Sequence, residues 1–245
     1  MLTPPRASVR IVPVSSIDVR GWDEIWRLTS RFYAADRGYV ERRLKAVQHL
    51  ALLRARPGRQ LVGMAAIEED LLTFEGRRTV VTFTSHTVLD PRYRGQNLLQ
   101  RVGLRRTLRT WLDHPLKHKL WAFDSGSARG YLLLPRNWPV FWPRHDVPTP
   151  GWESRFMSEY GRRKYGSSWQ GDGIVQRVPQ KRLLPLAATL HGVVLTDPHV
   201  QYFLQRNPGH AEGDTLFCMV PLTLGNCWGL LRNMLARWLR GGSQR

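Results

Sequence analysis

The chain has 245 residues, 42% of them hydrophobic, with 10 Trp, 7 Tyr and 8 Phe, which excludes disorder and leaves room for one large domain or two small ones. Its formal charge is +18 and 32 of the 37 basic residues are Arg, so an acidic partner is expected: nucleotide phosphates, a membrane surface, nucleic acid or an acidic protein. Cys218 and Cys227 form no C-x-x-C pair, which excludes a zinc module and a disulfide framework.

Hydrophobic periodicity places the elements in order. "VRIVPV" (9–14) reads as a short strand. Trp22, Ile25, Trp26, Thr29 and Phe32 recur at helical spacing, and "YVERRLKAV" (39–47) continues as a second helix. "HLALLRAR" (49–56), "QLVGMAAIEED" (60–70) and "TVVTFTSHTVL" (79–89) read as strands. The Gly-bearing turns "PGR" and "FEGRR" between them make an antiparallel meander. A long amphipathic helix is expected from about Asn97 to Leu112. "KLWAF" (119–123) is a further strand, and "SARGYLLL" (127–134) a short helix stopped by Pro135.

Residues 139–172 change character. Pro139, Pro143, Pro148 and Pro150 are followed by the Gly/Ser stretch "YGSSWQGDG", so this segment reads as a loop-rich, Pro/Trp-rich insertion. "GIVQRV" then reads as a strand, and "KRLLPLAATLHGVVL" and "DPHVQYFLQR" as helices. After the turn cluster "NPGHAEGD" come the strand "TLFCMVPLTL" and the amphipathic helix "CWGLLRNMLARWLRGG". The expected organisation is a single domain over 1–222 carrying the insertion, then a basic amphipathic helix and tail over 223–245. The start has no apolar run of signal-peptide length. No window approaches the roughly 18 continuous apolar residues of a membrane span, so a cytoplasmic location is expected.

The stretch "LDPRYRGQNLL" (89–99) joins the meander to the long helix. With the element order, it resembles the GNAT N-acyltransferase superfamily, whose loop reads V-x-P-x-Y-R-G-x-G-x-G. Leu89, Pro91, Tyr93, Arg94 and Gly95 match; Asn97 and Leu99 stand where the family prefers glycine or a small residue. The resemblance covers residues 9–138, is looser over 173–222, and is absent in 139–172 and the tail. It implies an α/β fold with a mixed, largely antiparallel central sheet and flanking helices. It also implies acetyl-CoA or another acyl-CoA as co-substrate and an amine-bearing acceptor. The pyrophosphate would lie on the main-chain amides of Arg94, Gly95, Gln96, Asn97 and Leu98, with the Arg92 and Arg94 side chains nearby. The edge of Thr87, Val88 and Leu89 would pair with the pantetheine amides. The physics agrees, because a helix N-terminus offers unpaired N–H groups and a positive dipole end. Asn also tolerates the left-handed region better than most residues, so Asn97 can stand in for glycine.

The family pattern N-x-x-A-x-x-x-Y maps onto "DSGSARGY", where Asp124 and Ser127 depart and Tyr131 matches. Tyr131 is thereby implied as the acid that meets the leaving thiolate. For the base, His86 lies on the last meander strand, on one face with Thr84 and Val88, and an imidazole titrates near neutrality. Glu68 and Glu69 end the preceding strand, and alternation lets only one of them face the cleft. A structural His86 and solvating glutamates are the competing readings.

Asp90, His114, His118 and His145 have no metal-ligand spacing, and no metal is expected. His210, Glu212 and Asp214 sit in the late turn cluster, which is either a plain connection or part of an acceptor pocket. In the terminal helix Trp228, Leu231, Met234, Leu235, Trp238 and Leu239 group on one side, with Arg232, Arg237 and Arg240 elsewhere. This reads as a membrane-surface or partner-docking element, or as a helix packed on its own domain. Two functions follow: acyl transfer from CoA, or from an acidic acyl carrier protein, to an amine; or a catalytically inactive GNAT-like fold that docks a ligand, membrane surface or acidic partner. No helix-turn-helix, zinc or RNA-recognition signature supports nucleic-acid binding.

Overall fold

The structure is a computed structural model that describes residues 6–170, 175–176, 182–184 and 195–242. Its strands are β1 (Arg6–Pro13), β2 (Tyr33–Ala34), β3 (His49–Arg56), β4 (Leu61–Phe74), β5 (Arg77–Leu89), β6 (His118–Ser125), β7 (Trp169–Gln170), β8 (Val175–Gln176), β9 (Arg182–Leu183) and β10 (Thr215–Pro221). Its helices are α1 (Val19–Thr29), α2 (Arg37–Lys45), α3 (Leu98–Asp113), α4 (Ala128–Tyr131), α5 (Leu133–Asn137), α6 (Gly151–Tyr165), α7 (Pro198–Arg206) and α8 (Leu224–Gly242). Asp18, Asp36 and Asp197 cap α1, α2 and α7 by accepting from Gly21, Tyr39 and His199 main-chain N–H groups.

One sheet runs in the order β1-β3-β4-β5-β6-β10-β8-β7, and β2 pairs with β9 separately. Every pairing in the large sheet is antiparallel except β5 with β6. The architecture is therefore the mixed, largely antiparallel α/β sheet expected. The parallel pairing is short. It begins at Thr79↔His118 and ends at Thr84↔Phe123, while β5 runs on to Leu89. The two strands part there, and the last five residues of β5 extend past the ladder.

Helices cover both faces of the sheet. On one face α1 and α2 bury Trp22, Ile25, Leu28, Val40 and Leu44 against Leu50, Leu52, Met64 and Val88. Beside them α6 buries Phe156, Met157 and Tyr160 against Val81, Phe83, Phe217 and Met219. On the other face α3 packs Leu98 and Val102 on Val9, Leu53 and Ile67. There α4, α5, α7 and α8 close over Phe123, Leu216, Cys218 and Val220.

Three expectations are corrected. The segment read as loop-rich contains the 15-residue helix α6. Pro135 does not stop the short helix; it sits in the first turn of α5, where a missing N–H goes unmissed. Arg182–Leu183, placed in a helix by pattern, forms β9 against Tyr33–Ala34. The rest of "KRLLPLAATLHGVVL" lies outside the described residues, apart from Leu184 and Leu195, as does "GIVQRV" apart from β8.

Candidate active site

Along β5 the register against β4 slips: Ser85 faces Ala66 and Val88 faces Met64, so His86 and Thr87 together oppose Ala65. This is a β-bulge, and His86 takes its left-handed conformation at φ 49. The extra residue breaks the alternation. Thr84 points to the opposite face, where its hydroxyl accepts from the Trp121 indole N–H at 2.9 Å. His86 turns with Ser85 into a cleft, so the expected sharing of a face with Thr84 is overturned. The His86 ring Nδ1 is 3.1 Å from the Ser85 hydroxyl.

The cleft has a volume of about 260 Å³ and is walled by α2, β4, β5 and α6. Glu68, Asp70, Ser85 and His86 come from the strands, Arg43 from α2, and Tyr160, Arg163 and Lys164 from α6. Two predicted bases, Glu68 and His86, are thus brought together. Lys164 Nζ lies 2.7 Å from Glu68 and 3.6 Å from Asp70. The Tyr160 hydroxyl donates to Asp70 at 2.5 Å, and burial beside that carboxylate pushes the phenol well up. Arg43 and Arg163 are exposed, and neither forms an ion pair among the described residues.

Glu69 points the other way, as strand alternation requires. It is held by the Arg106 guanidinium, the Thr110 hydroxyl at 3.1 Å and His114 Nε2 at 3.1 Å. Burial pushes the Glu69 carboxyl up, but the His114 bond, the Arg106 charge and the Thr110 bond outweigh it and hold it below the usual range. This carboxylate belongs to the α3 interface and not to the cleft.

The cleft adjoins the free end of β5. Thr87 is exposed, Val88 buried and Leu89 half-buried, and the Thr87 carbonyl accepts from the Tyr33 hydroxyl at 3.3 Å. The loop follows. Gly95 has φ 79 and Asn97 has φ 53, ψ 28, so Asn97 occupies the left-handed position that the spacing demands of glycine. The Asn97 side chain does not cap α3 and no acidic residue stands in its first turn, which suits this helix start to an outside anion. Burial and the cation of Arg129 push the Arg94 guanidinium down from its usual value. Gln96 is half-buried in this turn and Leu98 is in the core beneath it. Arg92, expected to reach phosphate, pairs instead with buried Asp90 at 3.1 and 2.9 Å, because the two residues are only two apart in a tight turn.

Tyr131 is fully buried, among Phe141, His199, Tyr202 and Phe203. Its hydroxyl donates to the Pro143 carbonyl at 2.8 Å, and burial pushes its phenol up. Tyr131 is not among the residues that line the Glu68–His86 cleft, and its hydroxyl is committed to a carbonyl of the insertion. Tyr33, which sequence reasoning missed, carries its hydroxyl at the free edge of β5. Its signal was faint: one Tyr just after the α1 periodicity. The groups weighed for metal lie apart: Asp90 on Arg92, His114 on Glu69, His118 against Trp152, His145 against His199. His210 and Asp214 stay in their turn, bonded around Asn207.

No family model and no curated protein matches this sequence. Among solved structures it is similar to a GNAT-family N-acetyltransferase from Escherichia coli in complex with CoA, at 17% identity and TM-score 0.35, covering 51% of this chain and 66% of that one. It is similar to a Trypanosoma brucei acetyltransferase at 17% identity and TM-score 0.39, covering 59% and 98%. A conserved protein from Enterococcus faecalis, a probable N-acyltransferase, shares 14% identity at TM-score 0.39, covering 52% of this chain and 31% of its own length. Overlaps this slight carry no argument about activity. By its own strand order, its parting β5 and β6 and the loop before α3, the chain resembles the GNAT superfamily as a divergent, GNAT-like α/β protein.

Proposed function

We propose that the chain transfers an acyl group from CoA to an amine seated in the cleft between α2 and α6. The observation that carries this reading is a juxtaposition: Glu68 and His86 line a cleft that borders the free edge of β5 and leads, through Thr87 to Leu89, to an uncapped helix N-terminus. A pantetheine arm would add to the β5 edge as a short strand, and its pyrophosphate would rest on the amides of Arg94 to Leu98. The amine nitrogen attacks the thioester carbonyl, a C–N bond forms and the C–S bond breaks. Before attack the ammonium gives one proton to Glu68 or His86; the thiolate takes a proton from the Tyr33 hydroxyl, released from the Thr87 carbonyl, and Tyr33 regains one from the nitrogen of the new amide. Burial raises the Tyr33 phenol, which keeps it protonated until needed. The acceptor is an amine because Glu68 already holds an ammonium, that of Lys164, at 2.7 Å.

Calorimetric titration with acetyl-CoA and with a long-chain acyl-CoA, at low and high salt, tests the donor site. Thiol release in the presence of amines tests the chemistry. Binding with turnover that Glu68→Gln lowers about a hundredfold is the expected result. If neither thioester binds, an acidic acyl carrier protein is the next titrant, since the basic surface suits it. If that too fails to bind, the reading falls.

The Lys164–Glu68 pair favours one second reading, a binding protein in which the base stays neutralised. Tight acyl-CoA binding without thiol release would select it.

A further inference from the structure

The helix α8 has two apolar faces. Its inner face is anchored: Leu230 is buried with Met234 and Cys227 against the core, Gly229 lies on Pro139, and Asn226 Nδ2 donates to the Val140 and Pro221 carbonyls at 2.8 Å. Met234, grouped by spacing with the outer residues, therefore packs inward. The outer face carries Leu224, Trp228, Leu231, Leu235 and Leu239, spaced by three or four residues into one stripe. All five are exposed, Leu224 and Trp228 by 74% and 69%. The anchored inner face fixes the stripe toward the outside.

A second exposed apolar group lies at the end of α3, whose Trp111 side chain hydrogen-bonds with Cys227 on the inner side of α8: Leu108 and Leu112 are exposed, as is Leu116 just beyond. A stripe of five exposed apolar side chains along one helix calls for a partner. Its charge says which kind. From Thr215 to Arg245 the sequence holds no acidic residue, Arg232 on α8 and Arg101 on α3 are exposed, and Asp113 at the end of α3 is paired with Arg109 at 2.8 Å. A second copy of a chain with formal charge +18 would be repelled, whereas an anionic surface would be attracted. No helix among the described residues is long and apolar enough to cross a membrane.

We propose that α8, with the exposed end of α3, docks flat on an anionic bilayer, its Leu/Trp stripe in the headgroup–acyl boundary and its arginines on lipid phosphates. A Trp within such a stripe suits that boundary. Docking is independent of acyl transfer, since none of these residues lines the cleft.

The test is co-sedimentation with vesicles of phosphatidylcholine, alone or mixed with phosphatidylglycerol. The full chain is compared with the double variant Trp228→Gln/Leu235→Gln, which keeps every charge. The wild type should partition onto the mixed vesicles at least about tenfold better than onto neutral ones. The variant should lose about tenfold of that partition while keeping the wild-type thermal midpoint. No partition onto the mixed vesicles, or equal partition by the variant, overturns the proposal. A lipid-free dimer that the variant abolishes, with no vesicle binding, also overturns it and assigns the stripe to a second copy.

Discussion

Glu68 and Glu69 are neighbours in the chain, yet they occupy opposite faces of β4 and live in different chemistry. Their exposures, 22% and 19%, do not separate them. Their partners do. Among the described residues Glu68 has one salt-bridge partner at bonding distance, a lysine on the cleft wall, with open volume beside it. Glu69 is fixed by Arg106, Thr110 and His114, and its main chain is clamped by the Gln48 amide at 2.6 and 3.1 Å. A carboxylate with one exchangeable partner beside a cavity is available for proton transfer. One with three partners on a packed helix is a rivet.

The sharpest break of this contrast is in rate. Glu68→Gln should lower thiol release about a hundredfold, roughly 3 kcal/mol in the barrier, with little change in acyl-CoA affinity. Equal turnover by Glu68→Gln would move the base to His86. Glu69→Ala should do the reverse: about 3 kcal/mol less stability in urea, since it strands the half-buried Arg106, with acyl-CoA affinity unchanged. If Glu68→Gln costs more stability than Glu69→Ala, the two faces have been read the wrong way round.

The loop offers a smaller effect. Asn97→Val should cost about 1–2 kcal/mol, because a β-branched residue resists a φ of 53. Asn97→Gly should leave stability level or slightly raised, and acyl-CoA titration of both variants ties the fold of the loop to its ligand.

The smallest effect is on pH dependence. The Glu69 carboxyl is held below its ordinary 4.5, so the unfolded chain binds its proton at higher pH than the folded one. Its contribution is whole above about 4.5 and is lost as pH falls through the folded value. Burial and the Arg77 cation hold His118 below its ordinary 6.5, which acts in the same direction from a higher start. Urea midpoints should therefore sag first below 6.5, where His49 and His199 act with His118, and again below 4.5; Glu69→Ala should shrink the second step and leave the part due to Asp90, which Arg92 also holds low.

Much of this was legible in the sequence. The meander, the start of α3, the left-handed Asn97 and the opposed glutamates all follow from local rules: periodicity, turn residues and strand alternation. What escaped depended on insertions and on distant contacts. The helix α6 carried a readable signal in Trp152, Phe156, Met157 and Tyr160, but prolines before it and a Gly/Ser run after it hid the period. The burial of Tyr131 depends on a carbonyl from Pro143, twelve residues away across a loop, and no local pattern announces it. His86 reaches the cleft as expected, but Thr84 does not share its face, because one residue more than the partner strand needs sits beside it.

That extra residue gives β5 a change of parity. Before it, odd-numbered positions such as Val81 and Phe83 face α6; beyond it, the even-numbered Val88 faces the same side. A strand can thus serve the α6 core with one set of side chains and the α1–α2 core with the other, with Ser85 and His86 adjacent at the changeover. Deleting Thr87 would restore a uniform alternation in which Val88 keeps its place opposite Met64 and His86, left alone opposite Ala65, turns out of the cleft to the other face. The candidate site sits where the strand's two phases meet, and a single-residue deletion, with no charge altered, would erase it.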